Sequence, residues 1–572
     1  MMVGWGWFFL KAYKAQHTRM VCMVALGGAL WCVVESMAYT VHTSLEKSLT
    51  QSVVGDYQLL SADALDVLAL LGSVSMRYED HGVIQQSERV RQVLLETGLV
   101  EDVVPMGSVL AQVVLPQKQE TASLVYAKTL GVDMPRFERF FTTFKTVLGT
   151  RVPSGEQGYL FSHRFYEKVI KKSTLREWDA LYESVVVQKD TSPRVLERMK
   201  RLEERSVSFA QDIGVAHADA MVEACQKMFL DVRVENLATC ITHLFKVDIK
   251  RFEKHHAFLY RHVVPWMQVY TVPVGDDVVL RSMGKDGYTR TVSVKVYGTF
   301  EFEGLESSEL TQMQNIADME TWKVLYGAPN AHVQQEIVEM QKNMHLMQAQ
   351  SAEDFEQQWL RGKKASVRVE SKDITDTPWM VHAAVLTRGH QRNPEVQKKL
   401  RNALDKNGLG VRLKTWEEVS GVVGDFVVLV QWVLRSVLTG VMCVMALMGY
   451  HAMYLAYQER IADMGCMRAM GMQKKTLFQV LMVEAFGVSM LASCVALLLG
   501  GAVVLWMHHV GVPAHHQVLR FLFAGPRLFP QTTYAIAASC VAWVVGVVCA
   551  AAFSAGYAAS GVSPHETMLE RE

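Results

Sequence analysis

Three adjacent histidine pairs, His255-His256, His508-His509 and His515-His516, are the side chains best suited by type to hold a metal ion or to move a proton. A metal site needs three or four ligands converging on one point. No pair has a carboxylate or cysteine companion at a useful spacing, so all three read as surface or interfacial residues. The nucleophile and metalloprotease signatures G-x-S-x-G and H-E-x-x-H do not occur. Neither does G-x-x-x-x-G-K-[ST], whose backbone amides cradle phosphates. Gly465 and Gly471 come nearest, one residue too far apart and in a helical context. If this chain drives work, the energy enters from a partner.

The elements that must position such residues are set by two long ends rich in apolar side chains. Met20–Val34 carries no charge, and apolar character resumes after Glu35 up to Val41. About 20 residues cross a hydrocarbon core, so 20–41 reads as a membrane helix. The rival reading is a secretory signal, with Lys11, Lys14 and Arg19 as its basic region and Ser36-Met37-Ala38 resembling a cleavage site. Three further stretches, Ser436–Tyr457, Ala485–Met507 and Thr532–Ser560, contain no Asp, Glu, Lys or Arg. Spans are expected over 426–457 (with an external extension), 477–507 and 532–558. Arg460, Arg468, Lys474 and Lys475 separate the second span from the third, against only Arg520 and Arg527 between the third and fourth. The positive-inside rule puts 1–19, the 458–476 loop and the 559–572 tail in the cytoplasm. Residues 42–425 and 508–531 then lie outside. Lys+Arg and Asp+Glu are both 58, so no overall basic field recruits nucleic acid.

The large external segment reads as mixed α/β. Strands are expected over 55–60, 100–115, 290–302 and 410–415, and helices over 62–73 (capped by Ser61), 87–97 (stopped at Gly98) and 394–406. The two αβ sets flank a middle, which predicts one domain built from both ends of the segment. Residues 174–266 have helical spacing throughout and read as a helical insertion, with Pro193 near a helix start. A further polar helix is expected over 330–361. Cys225 and Cys240 are the only external cysteines. On one continuous helix they would stand about 22 Å apart, so a bridge between them needs a turn near Asp231.

Gln458–Glu484 carries the most information. Ile461, Met464, Met467 and Ala469 or Met470 form an apolar stripe at helical spacing beside Arg468. Gly471 permits a bend, and Lys474 and Lys475 suit the headgroup layer. A short amphipathic helix of this kind either lies in a groove of another protein or rests on the inner leaflet.

This loop resembles that of the MacB/FtsX/LolC-LolE group of ABC transporter permeases, whose pattern is approximately E-R-x-x-E-I-G-x-x-R-A-x-G. It is matched by Glu459, Arg460, Asp463, Met464, Gly465, Arg468, Ala469 and Gly471, with Asp463 and Met464 as mild departures. Glu484 and the tail Ser563-Pro564-His565-Glu566-Thr567-Met568-Leu569 resemble further family elements. Gly131-Val132-Asp133-Met134-Pro135, Val274–Leu280, Val296–Phe300 with Glu303-Gly304, and Leu413–Glu418 are similar to elements of the LolC/LolE branch. The insertion at 174–266 departs from that branch.

The resemblance implies a four-span α-helical membrane protein with a large porter-like α/β periplasmic domain, in the bacterial inner membrane. It implies a separate ABC ATPase dimer that binds ATP and Mg, a second permease subunit, and no cofactor on this chain. The eight loop residues would couple to the ATPase. The cargo would be a lipoprotein, extracted from the outer leaflet without passage through a pore. Met37, Tyr39 and Val41 with Phe426, Val430, Val433 and Leu438 would meet its acyl chains. Glu35 is an ionisable group in the first span, and Arg435 is its candidate partner. The alternatives are an FtsX-like regulator of a cell-wall hydrolase and a MacB-like efflux component.

Overall fold

The computed structural model describes residues 14–71, 79–115, 123–210, 213, 218–228, 236–284, 288–305, 314–327, 379–458 and 466–561. The chain divides into two units: Met1–Ser48 with Val423–Glu572, and Leu49–Val422.

The first unit holds four helices long and apolar enough to cross a membrane. They are Lys14–Leu49, Val422–Gln458, Lys474–Val510 and Tyr534–Gly561. The first, third and fourth share one core. Val24, Ala25 and Cys32 pack with Leu481, Ala485, Val488, Ala492 and Ala496, and with Cys540, Val544 and Val548. Small residues set the spacing: a Cβ on Gly28 would come within 2.8 Å of Ala496 Cβ, and one on Gly500 within 2.9 Å of Cys32 Cβ. Close backbone approach of this kind is how apolar helices associate in lipid, where no hydrophobic force separates protein from tails. The second helix joins that core more sparingly, through Tyr450 and through Met445, which occupies the space a Gly27 side chain would need. Its most apolar stretch is 17% buried, against 50% for the first. At about 1.5 Å per residue its 37 residues extend roughly 55 Å, well beyond the ~30 Å of hydrocarbon.

The second unit is the α/β domain, built on a ten-stranded sheet. Its strands are β1 (Tyr57–Ser61), β2 (Val100–Leu115), β3 (Ser123–Val132), β4 (Phe144–Gly149), β5 (Tyr159–Ser162), β6 (Asp277–Met283), β7 (Thr289–Phe302), β8 (Gln314–Asp318), β9 (His382–Thr387) and β10 (Val411–Thr415). Their order is β10-β1-β9-β2-β3-β8-β5-β7-β4, and β6 pairs with both β2 and β7. That last pairing closes β2, β3, β8, β5, β7 and β6 into a ring. The ring encloses Val113, Ala127, Tyr159, Phe161, Leu280, Val296 and Ala317, with Trp322 of the helix Met319–Tyr326. Trp322 lies where Gly107 and Gly131 lack side chains: a Cβ on either glycine would stand 2.1 Å from its ring atoms. The other end of the sheet is an αβ layer. Helices Ser87–Glu96 and Pro394–Lys406 bury Val90, Leu94, Val396, Leu400 and Leu404 against Tyr57, Leu59, Val385 and Leu413. The domain is thus closed by the two ends of its own segment, β1 lying between β9 and β10.

Residues 62–71 do not form the expected helix. Ala62 N–H instead continues the sheet by donating to Gly410 O, at 2.7 Å. Ser61 Oγ accepts from Asp63 N, and Leu65 and Asp66 both donate to Asp80 O. Tertiary partners for those amides outcompete a local helix. The 330–361 helix lies outside the described residues.

The helical insertion has its own core. Leu175, Trp178, Leu181, Leu202, Ile241, Leu244, Phe245, Phe252 and Leu259 are buried together. It leaves and rejoins the sheet through one neck, where Lys172 N donates to Val269 O and Thr271 N to Ile170 O. Buried Lys171 pins that neck, 2.9 Å from Glu167 and 2.7 Å from Asp179, and Tyr260 donates to the same Asp179. Burial lowers the Lys171 ammonium, but its hydrogen bonds to Asp179 and Glu167 outweigh this and raise it above the ordinary lysine range. Cys225 and Cys240 sit on separate helices, Ala218–Met228 and Leu237–Phe245, and are bridged with Cα atoms 5.9 Å apart. The turn expected near Asp231 lies outside the described residues.

Candidate functional site: the corner at β1 and β10

The first membrane helix does not stop where the sheet begins. It runs into a π-helical turn, Thr50–Val54, of which four residues are buried. Gly55 ends it at φ +71°, a left-handed conformation that glycine adopts without strain. A side chain there would also meet Ala384 Cβ at 2.9 Å. β1 starts two residues later. The route back is equally short. β10 ends at Thr415, the turn Trp416–Val419 follows, and Gly421 at φ +59° precedes the second membrane helix.

These two routes meet. Tyr57 pairs with Thr415 in the antiparallel β1–β10 ladder, so the strand that comes from the first helix and the strand that leads to the second are neighbours. The turn Trp416–Val419 packs on the π-helical turn and on β1. Leu70 N donates to Val419 O at 2.8 Å, and Leu71 O fills the space a Gly421 side chain would need.

Asp56 lies at the centre of this corner, its carboxylate fully buried. Oδ2 accepts from Thr387 N and Thr387 Oγ1, both at 2.8 Å. His390 Nδ1 is 3.2 Å from Oδ1, and Arg392 Nε is 3.8 Å from it. Arg392 Nη1 reaches back to Thr50 Oγ1 on the π-helical turn at 2.6 Å. Beside it, Tyr57 donates to Asn393 O. Burial, together with the Asp56 charge, pushes the Tyr57 hydroxyl up to about 12, so it remains a donor at any physiological pH.

The residues singled out by sequence fall in several places. Glu459, Arg460, Asp463, Met464 and Gly465 lie outside the described residues. Residues 466–469 form one helical turn. Met467 is buried in the membrane core, against Leu477 and Leu481. Arg468 is half-buried, Ala469 and Gly471 are exposed, and Gly471 turns the chain at φ +98°. Met470 is 77% exposed at the tip of this turn. Of the external-end residues, Tyr39, Phe426 and Val433 are exposed, Met37, Val41 and Val430 are half-buried, and Leu438 is buried. Glu35 is half-buried and Arg435 exposed, and among the described residues no ion pair joins them. Of the paired histidines, His509, His515 and His516 are exposed and the other three are held by neighbours. His255 Nδ1 donates to Leu244 O, His256 stacks on Tyr182, and His508 Nδ1 donates to Pro530 O. Among the described residues no cluster of His, Cys, Asp or Glu could hold a metal ion. Sequence reasoning missed the Asp56 corner, because its donors stand more than 330 positions away.

Residues 435–564 match the family described as FtsX-like permease C-terminal. That match takes in most of the second membrane helix, the loop after it, and the third and fourth helices. No curated protein matches the chain.

Proposed function

We propose that this chain is the permease subunit of an ABC transporter of the mechanotransmission type, driven by a separate ATPase dimer and paired with a second permease subunit. It works in the bacterial inner membrane with both termini cytoplasmic and the α/β domain in the periplasm. Its cargo is a lipoprotein, lifted from the outer leaflet. The observation that carries this reading is the corner at β1 and β10, where the connections to two membrane helices share one hydrogen-bonded block. A displacement of either helix end is then a displacement of the sheet itself. The disulfide supports the orientation, since such bonds persist in oxidising compartments. On the opposite side, Met467 anchors the 466–469 turn while Met470 stays exposed, which suits a groove on a cytoplasmic partner. Glu459, Arg460, Asp463, Met464, Gly465, Arg468, Ala469 and Gly471 are the proposed coupling residues. Extraction needs an energy source, because each acyl methylene taken from the bilayer costs about 0.8 kcal/mol.

The insertion, with a core of its own, also favours a second reading, a regulator that docks a periplasmic hydrolase. Isolation of the full chain in mild detergent decides between them. A co-purifying ATPase with lipoprotein supports transport, and a co-purifying hydrolase supports regulation. Met470→Glu and Arg468→Glu are expected to weaken ATPase association at least tenfold while the α/β domain stays folded. Unchanged association of both variants removes the docking role of this loop.

A further inference from the structure

We propose that Asp56 is the positioning residue of a force-bearing corner, fixing the angle between the π-helical turn Thr50–Val54 and the sheet through Thr387, His390 and Arg392. This rests on the transport reading above.

Stability alone gives no reason for a carboxylate here. Burying an ion costs several kcal/mol, and a buried pair is often no better than an apolar contact of the same shape. What the pair adds is a defined geometry. The donors to Asp56 come from one short segment, Thr387–Arg392, which starts at the last residue of β9. Arg392 then bonds both sides of the bend, facing Asp56 after Gly55 and Thr50 before it. Gly55 by itself is a swivel, since glycine turns at little cost. With Arg392 bridging residues 50 and 56, the swivel is braced. Asp56 N–H also donates to Val385 O at 3.1 Å, so backbone and side chain both tie the bend to β9. β9 lies between β1 and β2, and β2 belongs to the ring. The path from helix end to ring is therefore short and hydrogen-bonded throughout. Ser52 adds a contact at 2.9 Å to Thr143, just before β4.

The test uses the full chain with its ATPase in lipid nanodiscs, read by hydrogen–deuterium exchange with and without ATP and vanadate. Asp56→Asn retains an acceptor for the Thr387 amide but removes the charge facing His390 and Arg392. Exchange over 50–56 and 385–392 is expected to rise about tenfold or more. The ATP-dependent change seen in the wild-type sheet should vanish, while that in the membrane helices persists. Arg392→Gln should reproduce both effects, and Arg392→Lys should restore the ATP-dependent change in the sheet. A merely structural role would raise exchange and leave the nucleotide-dependent difference in place. That result, or wild-type exchange in Asp56→Asn, overturns the proposal. Should the wild-type domain show no response to ATP at all, it is the transport reading that fails; the exchange rates of the variants would still report on the brace.

Discussion

Removing the Cys225–Cys240 bridge with the double substitution Cys225→Ala and Cys240→Ala isolates one covalent constraint in the insertion. The two cysteines are 15 positions apart. In the chain-entropy description, a loop of that size restricts the unfolded state by about 3 kcal/mol. Both cysteines are fully buried and pack with Val222 and Phe258, so alanine leaves no unpaired polar atom behind. The loss should therefore be mostly the entropic term. Since 1.4 kcal/mol is a factor of ten, the locally opened population rises on the order of 100-fold. Hydrogen–deuterium exchange in the full chain reads this directly. Amides in Ala218–Met228 and Leu237–Phe245 should exchange faster by that factor, while β2 and β3 stay at wild-type rates. Unchanged exchange in those two helices refutes the entropic reasoning. A parallel measurement addresses the compartment. Chain isolated without reductant should leave both thiols closed to alkylation, and ready labelling of both would remove the argument that this domain matures in an oxidising space.

Three further outcomes are expected. Gly131→Ala places a methyl group 2.1 Å from Trp322 Cγ, so it should destabilise the domain by roughly 1–3 kcal/mol, checked by thermal melting followed through tryptophan fluorescence. Burial holds the imidazoles of His382 and His255 below the ordinary histidine range, the nearby His81 and Lys128 adding to the effect at His382. The folded domain then resists a proton that the unfolded chain accepts below about pH 6.5, so stability is complete above that pH and falls as pH drops beneath it, at up to roughly 1.4 kcal/mol per pH unit for each histidine. Proteolytic susceptibility at pH 7.5 and 5.5 checks this, and His382→Gln should shrink the difference. Lys171→Met removes the cation shared by Glu167 and Asp179 at the neck and leaves Tyr270 and Tyr260 as their donors; with Asp179 38% exposed, the expected cost is roughly 1–3 kcal/mol, below that of breaking a fully buried pair, measured as faster exchange at 170–172 and 269–271.

Much of the fold was legible because its signals are local. Uncharged runs mark the membrane helices. Apolar spacing with Gly98 and Pro193 as punctuation marks helices that the structure places at Ser87–Glu96 and Pro193–Glu204. The insertion was recognisable because helical spacing continues across it, and its buried core runs from Leu175 to Met267. Pairings were not legible. Nothing near Tyr57 announces that its partners are Val385 and Thr415, and nothing near Asp277 announces that β6 closes a ring. The helix expected at 62–73 failed for the same reason, since Gly410 and Asp80 claim its amides. Asp56 reads as one more residue of the strand expected over 55–60 until Thr387, His390 and Arg392 are brought beside it.

The way the chain leaves and re-joins each part has a consequence for its history. The α/β domain is attached through adjacent strands, and the insertion within it through a pair of adjacent backbone segments. Each is a graft on a single socket, one nested inside the other. A lineage can lengthen, trim or exchange the nested cassette without re-registering the sheet, and exchange the sheet domain without redesigning the membrane helices. The nested segment can diversify while the membrane helices stay the same.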